Sequence, residues 1–144
     1  MTDTAAILGT LGGRKAAKRS VSTAVELSAM VREGLPYASL EALLSKLRLS
    51  RTEVAAALNL SERTLARRRR EKKLSPDESD RVLRLARLFA LAGRILETEE
   101  NAAAWFARPN RATGGNPPIG MIDTDIGARE VEDVLWRIAY GMFS

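Results

Sequence analysis

Apolar residues recur along this chain at helical spacing, and no segment alternates at the period of a strand. From Ser22 the first clear stripe is Val25, Leu27, Met30 and Val31, stopped by Gly34 and Pro36. Ser39 is placed to cap a second helix whose core face is Leu40, Leu43, Leu44 and Leu47; a third runs from about Arg51 to Asn59, and a fourth from Glu62 to about Lys73. Ser75-Pro76-Asp77-Glu78 opens the longest stripe, with a capping hydroxyl, a proline at the first helical position and acids on the positive end of the dipole. Val82, Leu85, Leu88, Phe89, Ala92 and Leu96 follow it, to about Glu97. A shorter helix over 99–107 brings Trp105 and Phe106, both assigned to the core. Pro109, Gly114, Gly115, Pro117 and Pro118 mark a loop. Thr124 then caps a last helix that turns Val131, Val134, Leu135, Ile138 and Ala139 inward, with Gly127 a tolerated break near its start and Trp136 expected outward.

The fold class is therefore all-α, with a long helix joining a first lobe to a small second one. Residues 1–20 carry Gly9, Gly12 and Gly13 beside Arg14, Lys15, Lys18 and Arg19, and are expected as a flexible basic tail. Residues 21–97 form the first lobe and 98–144 the second, around one continuous core.

Charge changes the picture more than overall composition does. The net charge of +5 is split: residues 1–74 hold 15 of the 23 Lys and Arg against 7 acids, giving +8, while 75–144 hold 8 against 11, giving −3. A basic half joined to a mildly acidic half predicts a polyanion on one side and a different partner on the other. Cysteine and histidine are both absent, which excludes disulfides, thiolate and imidazole metal sites, a thiol nucleophile and any histidine-based triad. Asp123 and Asp125 read as capping and loop residues, and Gly114-Gly115 as a turn, so neither an enzyme nor a cofactor is expected. No run of about 18 apolar residues is present, and the N-terminal basic residues follow an apolar stretch instead of preceding it. The expectation is a cytoplasmic protein.

The motif with the sharpest geometry lies in 51–70. Val54, Leu58, Leu60 and Leu65 fall where two short helices press together across a tight turn, and Ala55 is small where they cross. Asn59 occupies the turn position that needs a positive φ, and Ser61 can cap the second helix. This is the pattern of a DNA-binding helix-turn-helix. Glu62, Arg63 and Arg67 sit on the exposed N-terminal face that meets base edges; Thr64, Arg68 and Arg70, with Arg69, Lys72 and Lys73, are placed for the backbone phosphates, and the capping Ser61 is counted among the DNA-binding residues. Position 68 is usually apolar in this motif, so an arginine there implies shallower packing or a snorkelling side chain. The bland reading is a helical hairpin with a solvated basic end. Modules of this type act on two half-sites, so a homodimer on operator DNA is expected.

The C-terminal third resembles a known family. Gly114-Gly115-Asn116-Pro117, then Met121-Ile122-Asp123-Thr124-Asp125-Ile126-Gly127-Ala128-Arg129, then the run from Val131 to Gly141, are similar to the Xre/MbcA/ParS toxin-binding domain. Upstream, Leu65-Ala66-Arg67-Arg68, the run from Leu74 to Arg81 and Leu83-Arg84-Leu85-Ala86-Arg87 resemble the Xre-like helix-turn-helix that precedes it; together the matches span roughly 38–144. Gly120, Ile126 and Trp136 depart from the residues usual at their positions. The resemblance implies a type II antitoxin of the RES–Xre class, whose partner is a RES-domain toxin that consumes NAD⁺ or transfers its ADP-ribose. It further implies that the antitoxin blocks the toxin's active site and represses their shared operon.

The residues themselves agree with a protein partner at this end. Trp136, Tyr140, Met142 and Phe143 are types enriched at interfaces, and a short apolar-aromatic tail ending at Ser144 is unusual for a solitary monomer. Arg129 and Arg137, with Asp123, Glu132 and Asp133, are candidates for the polar rim, although the three acids serve equally as a cap and a solvated face. The alternative reading is a stand-alone regulator whose C-terminal third only dimerises.

Overall fold

The computed structural model describes residues 3–141. α1 (Thr4–Thr10) and α2 (Gly13–Ala17) lead into α3 (Ala24–Glu33), α4 (Tyr37–Leu47), α5 (Arg51–Ala57), α6 (Glu62–Glu71), the long α7 (Pro76–Ile95), α8 (Glu99–Ala107) and α9 (Asp125–Ala139). Short 3-10 turns at Arg111–Thr113 and Pro118–Met121 fill the link before α9. Among the described residues the fold is all-α, and the only extended pairing is an isolated bridge between Pro36 and Lys73.

Most helix starts are written locally. Thr23 with Glu26, Ser50 with Glu53 and Ser75 with Glu78 each form a reciprocal capping box, which satisfies backbone N–H groups that the first turn leaves without partners. Thr98 and Thr124 cap α8 and α9 through single hydroxyls. α4 is the exception. It begins at Tyr37, behind Pro36, and Ser39 is fully buried inside its first turn instead of capping it. Leu35, Tyr37 and Leu40 are all buried, so the chain enters the core before the expected cap is reached.

α7 is the spine, packing against α8, α9, α1 and α3. Phe89 stacks on Phe106 with ring centroids 6.2 Å apart, and half-buried Trp105 meets Phe106 edge-on at 5.2 Å. One apolar cluster runs from Ile7 to Leu135, so both lobes share a core. In α9, Val131, Val134 and Leu135 are buried, Ile138 is half-buried and Ala139 is exposed, which narrows the inward stripe over the last turn. Among the described residues, no helix is long and apolar enough to cross a membrane.

The N-terminal residues correct the expectation of a flexible tail over 1–20. Within the described part, Ile7 and Leu11 are buried at the i, i+4 spacing of one helical face, and Ala17 and Val21 continue into the same cluster. Burying side chains of the Ile7 and Leu11 type is worth about 1.5–3 kcal/mol each, enough to offset much of the ordering entropy of so short a segment. Of the three glycines only Gly12 separates α1 from α2; Gly9 lies inside α1 and Gly13 opens α2. Gly12, at φ +93°, seats α2 so tightly that an added Cβ would fall 2.6 Å from the Ala16 Cβ and 3.1 Å from the Ala42 Cβ on α4.

Candidate functional site

α5 and α6 form the helix-turn-helix, and its joint follows from the residues that fill it. Val54, Ala55, Leu58 and Leu65 are buried where the helices cross, with Leu60 half-buried beside them. The Leu60 N–H donates to the Ala55 carbonyl at 2.9 Å, closing the turn, and Asn59 adopts φ +54° as the motif requires. Ser61 caps α6, accepting from the Thr64 N–H at 3.0 Å and donating its hydroxyl to the Thr64 oxygen at 2.9 Å. The Thr52 hydroxyl donates to Glu62 at 2.9 Å, so this carboxylate is braced by α5 while remaining exposed.

On the outer face, Arg63, Arg67, Arg69 and Arg70 are exposed, and among the described residues none has a carboxylate within 4 Å. Lys72, in the left-handed conformation, ends the helix beside Lys73. Within one helix of ten residues, four arginines thus stand without an ion-pair partner among the described residues, against the two acids Glu62 and Glu71 of the same helix.

Arg68 is withdrawn from that face, which corrects its assignment to the phosphate set. Its guanidinium grips Glu78 through two bonds, Nε to Oε1 at 2.7 Å and Nη2 to Oε2 at 3.1 Å, and holds Glu71 at 2.9 Å. The site opposite position 68 is buried, and an arginine entering it must find an anion. Glu78 supplies that anion from the first turn of α7, with its side chain only 8% exposed. Burial pushes the Glu78 carboxyl up, but the Arg68 pair and the Ser75 backbone N–H and hydroxyl outweigh it and hold the group below its ordinary range.

The joint is also tied to the second lobe. The Asn59 amide donates to the Asp123 carbonyl at 2.7 Å, and Arg81 on α7 donates to the carbonyls of Leu58 and Asn59 at 3.2 and 3.3 Å. The 3-10 turn Pro118–Met121 packs on α5. Nothing in the local sequence announces a bond between residues 64 positions apart, and Asp123 contributes only its backbone.

α9 gathers most of the candidate partner-binding residues. Glu132, Trp136 and Tyr140 stand four apart on one stripe, and Arg129, Asp133 and Arg137 on the adjoining one. Trp136 stacks on Tyr140 with centroids 5.9 Å apart, and Tyr140 is 72% exposed. Trp136, expected outward, is half-buried. It forms one wall of an open groove of about 650 Å³ between α1, α7 and α9, together with Ile7, Leu91 and the Arg87–Glu132 ion pair at 2.9 Å. Arg129 pairs with Asp125 and Arg137 with Glu130, each at 2.9 Å. Met142, Phe143 and Ser144 lie outside the described residues. Among those described, no group of three or more acidic side chains is arranged to hold a metal ion.

Two family models match the chain in tandem. Residues 26–87 match the antitoxin Xre-like helix-turn-helix domain, and 89–141 the antitoxin Xre/MbcA/ParS C-terminal toxin-binding domain. The chain is 30% identical to the antitoxin Xre of Photorhabdus laumondii subsp. laumondii over 125 residues, 85% of this chain and 84% of the relative. It is 30% identical to the antitoxin Xre of Yersinia enterocolitica over 98 residues, 67% of this chain and 66%, just under two thirds, of the relative. A Prs ADP-ribosylating antitoxin from a Sphingobium species is 27% identical over 130 residues, 83% of this chain and 82% of the relative.

Proposed function

Because the chain belongs to the Xre antitoxin family and carries both its helix-turn-helix and its toxin-binding domain, we propose that it neutralises a RES-type toxin with the end of α9 and represses its own operon with α6. The observation that carries the first half is the Trp136–Tyr140 stack, in which exposed Tyr140 rests on half-buried Trp136 on the helix of the domain whose family name specifies toxin binding. Aromatic anchors of this kind dominate binding energy at interfaces, and ion-paired arginines around them form a rim. In this reading α9 and the residues beyond it fill the mouth of the toxin's NAD-binding cleft, with Tyr140 as the leading anchor and Arg129 and Arg137 around it. The name of the Sphingobium relative supports ADP-ribose chemistry in the partner.

Co-expression with the product of the neighbouring gene tests this. Growth and cellular NAD⁺ are expected to be preserved, and arrest in the presence of this protein would refute the reading. The double variant Trp136→Ala, Tyr140→Ala is expected to weaken toxin binding by about 2–4 kcal/mol, seen in a titration as a loss of roughly 30- to 1,000-fold in affinity. Unchanged affinity would remove α9 from the interface.

For the second half, the unpaired Arg63 and Arg67 beside Glu62 supply base-edge contacts, and Arg69, Arg70, Lys72 and Lys73 supply phosphate contacts. Two copies would address half-sites about 34 Å apart along the duplex. Arg63→Ala and Arg67→Ala are each expected to cost about 1–3 kcal/mol on a duplex from the chain's own promoter and to relax base preference at one position of each half-site. A mobility-shift series over substituted sites would show it. Arg68→Ala should leave base preference unchanged, since its guanidinium is spent on Glu78.

A further inference from the structure

The geometry points to a second DNA contact outside both matched family domains: α2 and its end present Arg14, Lys15 and Lys18 as a phosphate-binding strip that continues the basic end of α6. This rests on the DNA-binding reading above and extends it to residues 13–19, which precede the helix-turn-helix match at residue 26.

Three observations carry it. The first is charge without compensation: Arg14, Lys15 and Lys18 are exposed, and among the described residues none meets a carboxylate, whereas Arg19 next to them is neutralised by Glu33 at 2.8 Å. The second is rigidity. Ile7, Leu11, Ala17 and Val21 are in the core, Gly12 clasps α2 onto α4, and the Lys46 ammonium donates to the Gly9 carbonyl at 2.6 Å, tying α1 to α4 as well. A cation held by a packed helix loses less freedom on meeting a phosphate than one on a loose tail.

The third is place. The Arg19–Glu33 pair joins the end of α2 to the end of α3. The next residue, Gly34 at φ +97°, lies against the Leu74 carbonyl and the Lys73 side chain, and the Pro36–Lys73 bridge fixes this junction beside the exit of α6. Lys73 is thus linked through Gly34 and this one neutralised pair to the end of α2, and in the proposal the positive surface runs along that path to Lys18, Lys15 and Arg14. A duplex lying along α6 offers a line of phosphates at regular spacing, and an extended cationic edge of this kind suits that line better than a compact acidic site.

The test compares the full-length protein with the triple variant Arg14→Gln, Lys15→Gln, Lys18→Asn on a promoter duplex. Asn is chosen at position 18 because the residue sits at φ +59°. The wild type is expected to bind with a steep salt dependence. In the triple variant, affinity should fall about tenfold or more, and the slope of log affinity against log salt should flatten by about 2–3, close to 0.9 per lost phosphate contact. Base preference and toxin neutralisation should be unchanged, and thermal unfolding should match the wild type. An unchanged slope and affinity would overturn the strip while leaving the α6 reading intact. Loss of toxin binding with full DNA affinity would overturn it in favour of an acidic protein surface. If the wild type itself ignored the duplex, the helix-turn-helix reading would fall and take the strip with it.

Discussion

Gly127→Ala is expected to destabilise the protein by about 3 kcal/mol and to lower the melting temperature by roughly 10 °C, although alanine is the better helix former. The cause is space. Gly127 is buried in the first turn of α9, and a Cβ built there would land on the Met121 carbonyl oxygen, with the Thr124 hydroxyl at 2.9 Å and the Met121 carbonyl carbon at 3.0 Å. The obstacle is backbone, so no side-chain rotation relieves it. The 3-10 turn Pro118–Met121 must lift from α9, and Asp123, two residues on, then loses its hold on Asn59. Toxin binding should weaken along with stability. Gly93→Ala is the matched control: it lies in α7 with nothing within 4 Å of an added Cβ. It should raise stability by about 0.5–1 kcal/mol. Urea unfolding of the two variants would decide it, and similar small gains in both would mean that the turn does not seat on α9 as described.

Glu78→Ala is expected to cost about 2–4 kcal/mol, somewhat below the range for breaking a fully buried ion pair because the Arg68 side chain is 21% exposed. The substitution leaves a half-buried guanidinium with Glu71 alone, and removes the acceptor that the Ser75 N–H reaches at 2.8 Å. Replacing both partners by leucine should recover much of the loss, because the site becomes the apolar contact usual in this motif. A double-mutant cycle on Arg68 and Glu78 should show coupling well above 1 kcal/mol, and additive losses would deny the pair. The pH dependence has a definite sign. Since the folded carboxyl is held below its unfolded value of about 4.3, its contribution is complete above that pH and is lost as the solution is acidified through the folded value. Glu78→Gln should therefore flatten the acid limb of the stability curve and leave the neutral-pH slope unchanged.

The helical pattern was legible because its determinants are local. Capping hydroxyls at Ser75 and Thr124 and the bounds 99–107 were readable within one or two turns of chain. The positive φ of Asn59 follows from the same short range, as does the outward set Arg63, Arg67 and Arg70. The N-terminal segment misled because three glycines look like disorder when read alone. One of them is instead the only residue that permits α2 to approach Ala42. Trp136 misled in the same way: its position on α9 was clear, but α1, which forms another wall of the groove it lines, was not expected to be there.

The amino-acid sequence by itself determined the helices from α3 onward, apart from the start of α4, together with the joint of the helix-turn-helix and the segregation of positive charge, since periodicity, caps and turn chemistry act over a few residues. Tertiary structure alone decided which charges stay available. It turned Arg68 inward to Glu78, left Arg63 and Arg67 free, and set Arg14, Lys15 and Lys18 on a fixed helix. It also decided that Asn59 meets Asp123 and that Gly127 admits no side chain. Those outcomes depend on desolvation and close approach between segments far apart in the chain, and no local pattern encodes the distance between them.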